Sequence, residues 1–173
     1  TNESPRKISD NFLASLRNFN FRSTLPVFVF VNPSVEEVTK ITTCIENPIL
    51  QFHGDEEDSF CQQFNQSFWK TIRVKDSQSL IKIDDFPSAD AILLETFSKD
   101  TYGGTGKVFD WSLLEKISLE RKFVLAGGIN PENIKEAVSM NPWCIDVNSG
   151  VESSLALKDK TLMNKIIKNF KYG

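Results

Sequence analysis

LAGGINPENI, residues 125–134, runs an apolar segment into two glycines and then into Asn130-Pro131-Glu132. Asn130 suits a helix N-cap, because its side-chain oxygen can accept a helix N–H. Pro131 suits the first helical position, where no N–H is needed. Gly127 and Gly128 permit positive φ or close approach where the chain leaves a strand. The stretch therefore reads as strand, tight turn, helix. Exposed N–H groups at such a turn make an anion site. The same residues also make a compact strand–helix connection, and the motif alone does not choose.

The pattern repeats along the chain. Candidate strands are residues 26–31 (PVFVFV), 49–53 (ILQFH), 69–74 (WKTIRV), 91–96 (AILLET), 123–126 (FVLA) and 144–148 (CIDVN). Several are continuous apolar or β-branched runs, as strands buried on both faces are. Helical stripes lie between them: Val35, Val38 and Ile41; Phe60 and Phe64; Ile134, Ala137 and Val138. Met163, Ile166, Ile167 and Phe170 form another at the C-terminus, and Phe12, Leu13, Leu16 and Phe19 predict one before the first strand. The alternation predicts right-handed βαβ units and a parallel sheet, either doubly wound or a (β/α)8 barrel. Unusual residues cluster after the strands: His53-Gly54-Asp55, Gly103-Gly104-Thr105-Gly106, Gly127-Gly128 and Ser149-Gly150. Both folds place their sites there. No G-x-G-x-x-G follows the first strand, which weighs against the dinucleotide-binding version.

The last candidate strand again ends in a small residue and a glycine. Glycine loops after the last two strands are where barrels commonly hold a phosphate. Gly127, Gly128, Ser149 and Gly150 are therefore expected to surround one phosphate. Asp146, inside that strand, reads as a substrate contact or as a carboxylate binding loop N–H groups. His53, the only histidine, either lines the site or caps the following helix. Glu95 can serve as a general acid if its pKa rises toward neutrality, or as half of a rim salt bridge. TYGGTGKVFDW, residues 101–111, is not a Walker loop: Thr101 stands where a glycine is needed and Val108 where a hydroxyl is needed. It reads as a flap over a site or as a plain long loop.

Composition bounds the rest. A chain of 173 residues, 40% hydrophobic and 25% charged, suits one domain. A net charge of −3 weighs against a nucleic-acid partner. No apolar run approaches a membrane span, and TNESPRKISD has no signal-peptide core, so no membrane partner is expected. Cys44, Cys61 and Cys144 are widely spaced and fit neither a disulfide framework nor a metal site. A reducing cytoplasm is the simplest reading.

SPRKIS, VFVNPS, LQFHGDE, YGGTGKVFDWSLL, LAGGINPENI and IDVNSGVES, in this order and over nearly the whole chain, together resemble the phosphoribosylanthranilate isomerase family of tryptophan biosynthesis. The resemblance implies a (β/α)8 TIM barrel. It implies an Amadori rearrangement of N-(5′-phosphoribosyl)anthranilate to 1-(2-carboxyphenylamino)-1-deoxyribulose 5-phosphate, with a small phosphorylated substrate and no cofactor. It puts the general acid at Glu95, where the family has an Asp, so that the carboxyl moves out by one methylene. It sets Arg6 against the anthranilate carboxylate, which a guanidinium matches as a bidentate fork. The family's base is a Cys in a first-strand Lys-x-Cys-Gly segment, and no such segment stands in this sequence. SPRKIS resembles the loop after the family's second strand. Residues 1–173 are thus expected to form a single (β/α) barrel domain with only the last six strands, N-terminally incomplete. An omitted N-terminal segment, a second chain such as a homo-oligomeric partner, or a truncated relative would each account for that. The alternative function is an inactive or truncated relative that only binds a phosphorylated ligand or a partner chain. Other phosphate-gripping barrels are disfavoured by HGDE and GKVFDW.

Overall fold

The computed structural model describes residues 4, 6–97, 108–115 and 121–171. The apolar runs become strands β1 (Val27–Phe30), β2 (Ile49–Phe52), β3 (Phe68–Val74), β4 (Ala91–Thr96), β5 (Phe123–Leu125) and β6 (Cys144–Ile145). Their order in the sheet is their order in the chain. The β1–β2, β2–β3, β4–β5 and β5–β6 pairs are parallel. Parallel neighbours need crossovers, usually helical. The helices are α1 (Asp10–Leu16), α2 (Val35–Cys44), α3 (Asp58–Gln62), α4 (Ser112–Glu115), α5 (Ile134–Ser139) and α6 (Lys160–Lys171). The fold is α/β with a six-stranded parallel sheet. Two compact units divide the chain, Thr1–Thr71 with Asp84–Asp90 and Ile72–Ile83 with Ala91–Gly173.

In the first unit, Ser34 starts α2 with a reciprocal cap. Its hydroxyl accepts the Glu37 N–H at 3.2 Å, and the Glu37 carboxylate accepts the Ser34 N–H at 2.8 Å. Such caps stabilise a helix by about 1 kcal/mol. Val38 and Ile41 form the buried face of α2. Helix α1 buries Leu13 and ends at Leu16, so Phe12 and Phe19 of the expected stripe are exposed. Helix α3 stops at Gln62, which leaves Phe64 beyond it, yet the Phe64 ring still stacks on Phe52 at 6.2 Å. Phe52 is fully buried and also meets Phe30, Phe60 and Phe68. Strand β2 is buried at every residue. Strand β1 departs from the expected two-sided burial: Val27 and Val29 are exposed while Phe28 is buried. It stands at the end of the strand order and, among the described residues, pairs with β2 alone. Asn32, Asn47 and Asn65 adopt left-handed backbone, with φ of 48°, 50° and 50°. Asparagine tolerates that region because its short polar side chain can bond locally.

In the second unit, β4 is buried except at Thr96, and β5 throughout. Helix α5 buries Ile134 and Ala137. Helix α6 packs on α5 through a face that keeps only Ile166 of the expected stripe. Leu162 and Ile166 are half-buried and the Asn169 amide donates to the Pro131 carbonyl at 2.8 Å, while Met163, Ile167 and Phe170 are exposed. Strand β6 is shorter than residues 144–148. The Asp146 N–H still donates to Leu125 O at 2.9 Å, and the chain then leaves the ladder. An antiparallel hairpin, β7 (Glu152–Ser154) and β8 (Leu157–Lys158), also belongs to this unit, and a 3-10 segment at Ser77–Asp85 is divided between the two. Asn141, with φ of 53°, turns the chain ahead of β6. No described helix is long and apolar enough to cross a membrane.

Candidate active site

The second unit gathers most of the expected residues at strand exits. Gly127 and Gly128 lie in the left-handed region, with φ of 84° and 68°. A side chain at Gly127 would meet Thr96 N at 2.8 Å and Glu95 Cγ at 3.1 Å. The exit of β5 therefore lies directly against the end of β4, where the buried Glu95 stands. Asn130 Oδ1 accepts the N–H groups of Glu132 at 2.9 Å and Asn133 at 3.2 Å. That is capping geometry with Pro131 in the first turn, although α5 itself begins one turn later, at Ile134. The Asn130 and Asn133 side-chain amides both donate to Gly128 O, at 3.2 and 3.0 Å, and so fix that peptide.

The loop after β6 meets this turn at Gly150, backbone against backbone. A Cβ at Gly150 would collide with the carbonyl of Ile129, with its carbon at 2.8 Å, and with Asn130 Cα at 3.0 Å. Only a residue without a side chain allows that approach. Lys158, on β8, anchors the loop from behind: it donates to Asn148 O at 2.7 Å and to the Asn148 side-chain oxygen, and pairs with Glu152 at 2.9 Å. Gly127, Gly128, Ser149 and Gly150 each carry a backbone N–H on these two turns. Four such donors on two touching turns can take an oxyanion. Asp146 is half-buried between β6 and this loop.

The first unit holds the other two expected residues, Arg6 and His53. Arg6 is half-buried in a turn before α1, and its N–H donates to Ser4 Oγ at 3.2 Å. His53 is buried, and its N–H donates to Phe30 O at 2.8 Å. Gln51 Nε2 and Thr71 Oγ1 each lie 3.3 Å from His53 Nδ1. His53 is not a helix cap, because the N-cap of α3 is Glu57. Next to it stands a group that the sequence reading passes over, the ion pair of Glu56 and Lys70. Their charged atoms are 2.7 Å apart and each side chain is 3% exposed. The available signal is a lysine inside the apolar run FWKTIRV, since lysine is almost never buried unless paired.

The cysteines have settings unlike that of a catalytic base. Burial pushes the Cys61 thiol up to about 12. Burial, then the neighbouring Asp146, also raises Cys144. Cys44 accepts a contact from Arg17 at 3.4 Å. No group of metal-binding side chains occurs among the described residues. The expected flap at Gly103-Gly104-Thr105-Gly106 lies outside the described residues.

Comparison with known proteins adds an independent line. The family model of N-(5'phosphoribosyl)anthranilate (PRA) isomerase matches residues 1–169. An N-(5'-phosphoribosyl)anthranilate isomerase of Legionella pneumophila (strain Corby) is 44% identical over 144 residues, covering 82% of this chain and 69% of the relative. The crystal structure of phosphoribosyl anthranilate isomerase from Thermotoga maritima superposes with a TM-score of 0.87 at 29% identity, over 98% of this chain and 84% of the other. A phosphoribosyl anthranilate isomerase in complex with reduced 1-(o-carboxyphenylamino)-1-deoxyribulose 5-phosphate gives a TM-score of 0.81 at 28% identity, over 98% and 83%.

Proposed function

The chain belongs to the N-(5'-phosphoribosyl)anthranilate isomerase family, and from that premise we propose that it carries out the Amadori rearrangement of phosphoribosylanthranilate in tryptophan biosynthesis with Glu95 as general acid. Glu95 protonates the furanose ring oxygen. The bond from that oxygen to C1′ breaks as the anilino nitrogen pushes its electron pair toward C1′, giving the open-chain Schiff base. A base then removes the proton on C2′, and the resulting enolamine relaxes to the ketone. A positioned acid or base of this kind contributes about 10²–10⁴-fold. The assignment covers the acid alone, because no Lys-x-Cys-Gly segment stands in the 173 residues.

The observation that carries this reading is the junction of the three strand exits in the second unit. Gly127 lies against Glu95 and Thr96, and Gly150 lies against Ile129 and Asn130. A buried carboxyl group and two glycine turns thus share one neighbourhood. In the proposal the substrate phosphate takes the N–H groups of Gly127, Gly128, Ser149 and Gly150. Asp146 contacts the sugar on the same side. Arg6 pairs with the anthranilate carboxylate and His53 contributes a substrate contact. The ligand of the neighbouring complex, a reduced carboxyphenylamino-deoxyribulose phosphate, belongs to the chemical class proposed here. The six parallel strands are proposed as strands of a (β/α)8-type barrel, and residues 1–173 as a single (β/α) barrel domain. The free thiols of Cys44, Cys61 and Cys144 support a reducing, cytoplasmic setting.

Glu95→Gln tests the acid. It keeps shape and hydrogen bonding but has no proton to give. In the full protein kcat is expected to fall about 10²-fold or more while KM holds. Glu95→Asp, which restores the family's usual residue, is expected to keep or raise turnover. A Gln variant with full turnover would place the acid elsewhere.

A further inference from the structure

We propose that the buried Glu56–Lys70 pair is a positioning device that holds His53 in register, so that its ring meets the substrate in one orientation. The part played by the substrate rests on the functional reading above; the positioning of the ring does not.

Alternation along β2 and β3 separates the two groups. Leu50 faces Phe68 and Phe52 faces Lys70 in the strand register, so these four share one face of the sheet. Gln51, His53, Trp69 and Thr71 share the other. The Lys70 ammonium lies 5.2 Å from the centre of the Phe86 ring, on the face opposite His53. With 3% exposure on both side chains, the pair does not touch a ligand on the His53 face. It acts through the backbone or not at all.

Stability alone is a weak reason for such a pair. Taking two charges out of water is expensive, and apolar residues of similar volume often serve a core as well or better. What apolar residues would not do is grip peptide groups. Glu56 Oε2 accepts the Gly54 N–H at 3.0 Å, and Lys70 Nζ donates to Gly54 O at 2.8 Å. Both peptide planes beside Gly54 are thereby fixed. The first of them is the peptide that leaves His53, so its plane sets the ψ angle of His53. Glu56 Oε1 also accepts the Asn32 N–H at 2.7 Å, and Asn32 Oδ1 accepts the Asp55 N–H at 2.7 Å. These bonds lock the exit of β2 to the exit of β1. Upstream, the His53 N–H is held by Phe30 O at 2.8 Å. His53 is thus pinned on both sides along the chain. Thr71, which contacts its ring, follows Lys70 directly in β3.

The sequence contains one histidine, so 15N-histidine labelling gives these residues a single imidazole signal pair. The experiment compares the wild-type protein with the double variant Glu56→Gln/Lys70→Met. Each single change would strand a buried charge and unfold the region for a trivial reason. The double change removes both charges and is expected to melt near the wild-type temperature. In the wild type, the ring is expected to show one tautomer. In the folded double variant, the ring signals are expected to shift and broaden. KM for phosphoribosylanthranilate is expected to rise about 10-fold while kcat stays within about 3-fold. Wild-type signals and an unchanged KM in a folded double variant would make the pair merely structural. Should the double variant not fold, the wild type still decides: a ring averaging rapidly between tautomers overturns the proposal, and a single fixed tautomer supports it. A wild-type protein that shows the ring effect but no turnover would overturn the functional reading and leave the positioning intact.

Discussion

Gly150→Ala isolates the contact on which the proposed anion site depends. The added methyl group would sit 2.8 Å from the carbonyl carbon of Ile129 and 3.0 Å from Asn130 Cα, and nearer still to Ile129 O. Ordinary contact begins at 3.4 Å, so even the carbon must retreat by 0.6 Å (3.4 less 2.8). All of these neighbours are backbone. Their turn is pinned by Asn130 and Asn133 on Gly128 O, so it does not yield as a side chain would. The φ of Gly150 lies outside the left-handed region, and alanine adds no backbone strain of that kind. The effect therefore comes from the contact. Overpacking of this sort costs about 1–3 kcal/mol, a fall of roughly 2–12 °C in Tm for a chain of this size. In the proposed site, parting the two turns also separates the N–H groups that would share the phosphate. Losing one bond to a charged oxygen removes about 1.5–3 kcal/mol, or about 10–100-fold in affinity. Calorimetric titration of the full protein with the reduced product analogue reads the affinity directly, and steady-state kinetics reads KM. An alanine variant with wild-type Kd and KM would refute the reasoning. So would one that loses kcat while KM stays put.

Two further outcomes are expected. Arg6→Ala should raise KM about 10-fold or more, with Arg6→Lys in between, because an ammonium does not offer the planar fork; unchanged KM and kcat would remove Arg6 from the site. Cys61 makes stability depend on alkaline pH. Its folded pKa is raised to about 12 from 9.0, so the unfolded chain loses the proton first. The stability it contributes is complete below about pH 9 and declines as pH rises toward 12. Urea midpoints between pH 8 and about 10.5 should fall more steeply for the wild type than for Cys61→Ala, and equal slopes would discard the linkage.

Strand β4 is legible residue for residue in the sequence, because AILLET is an unbroken apolar run ended by polar residues. Strand β6 is not, since the apolar and β-branched residues of CIDVN continue past the last paired position at Ile145. The β7–β8 hairpin turns at Leu155 and Ala156, with Ala156 at a φ of 64°. An apolar turn without glycine or asparagine gives no hairpin signal. The 3-10 segment at Ser77–Asp85 buries Leu80 and Ile83, three apart, and that spacing reads equally as a helix or as nothing. At the candidate site, the paired glycines stand out because they follow apolar runs. Glu56 and Lys70 do not, because only strand pairing brings residues from β3 and the β2 exit together. The exposure of Met163, Ile167 and Phe170 shows the limit of periodicity: α6 carries two apolar stripes, and the pattern does not say which one the protein covers.

The left-handed asparagines bear on how the protein ages. Deamidation proceeds when the backbone nitrogen of the next residue attacks the asparagine side chain, and that nitrogen must carry a hydrogen. Asn32, Asn47 and Asn141 are each followed by proline, which has none. Three of the turns that steer the chain into or out of its strands are thus closed to the commonest spontaneous lesion of asparagine. Asn65, followed by Gln66, keeps the reactive partner. In a stored sample, charge heterogeneity among these four turns should start at that one residue, just ahead of β3.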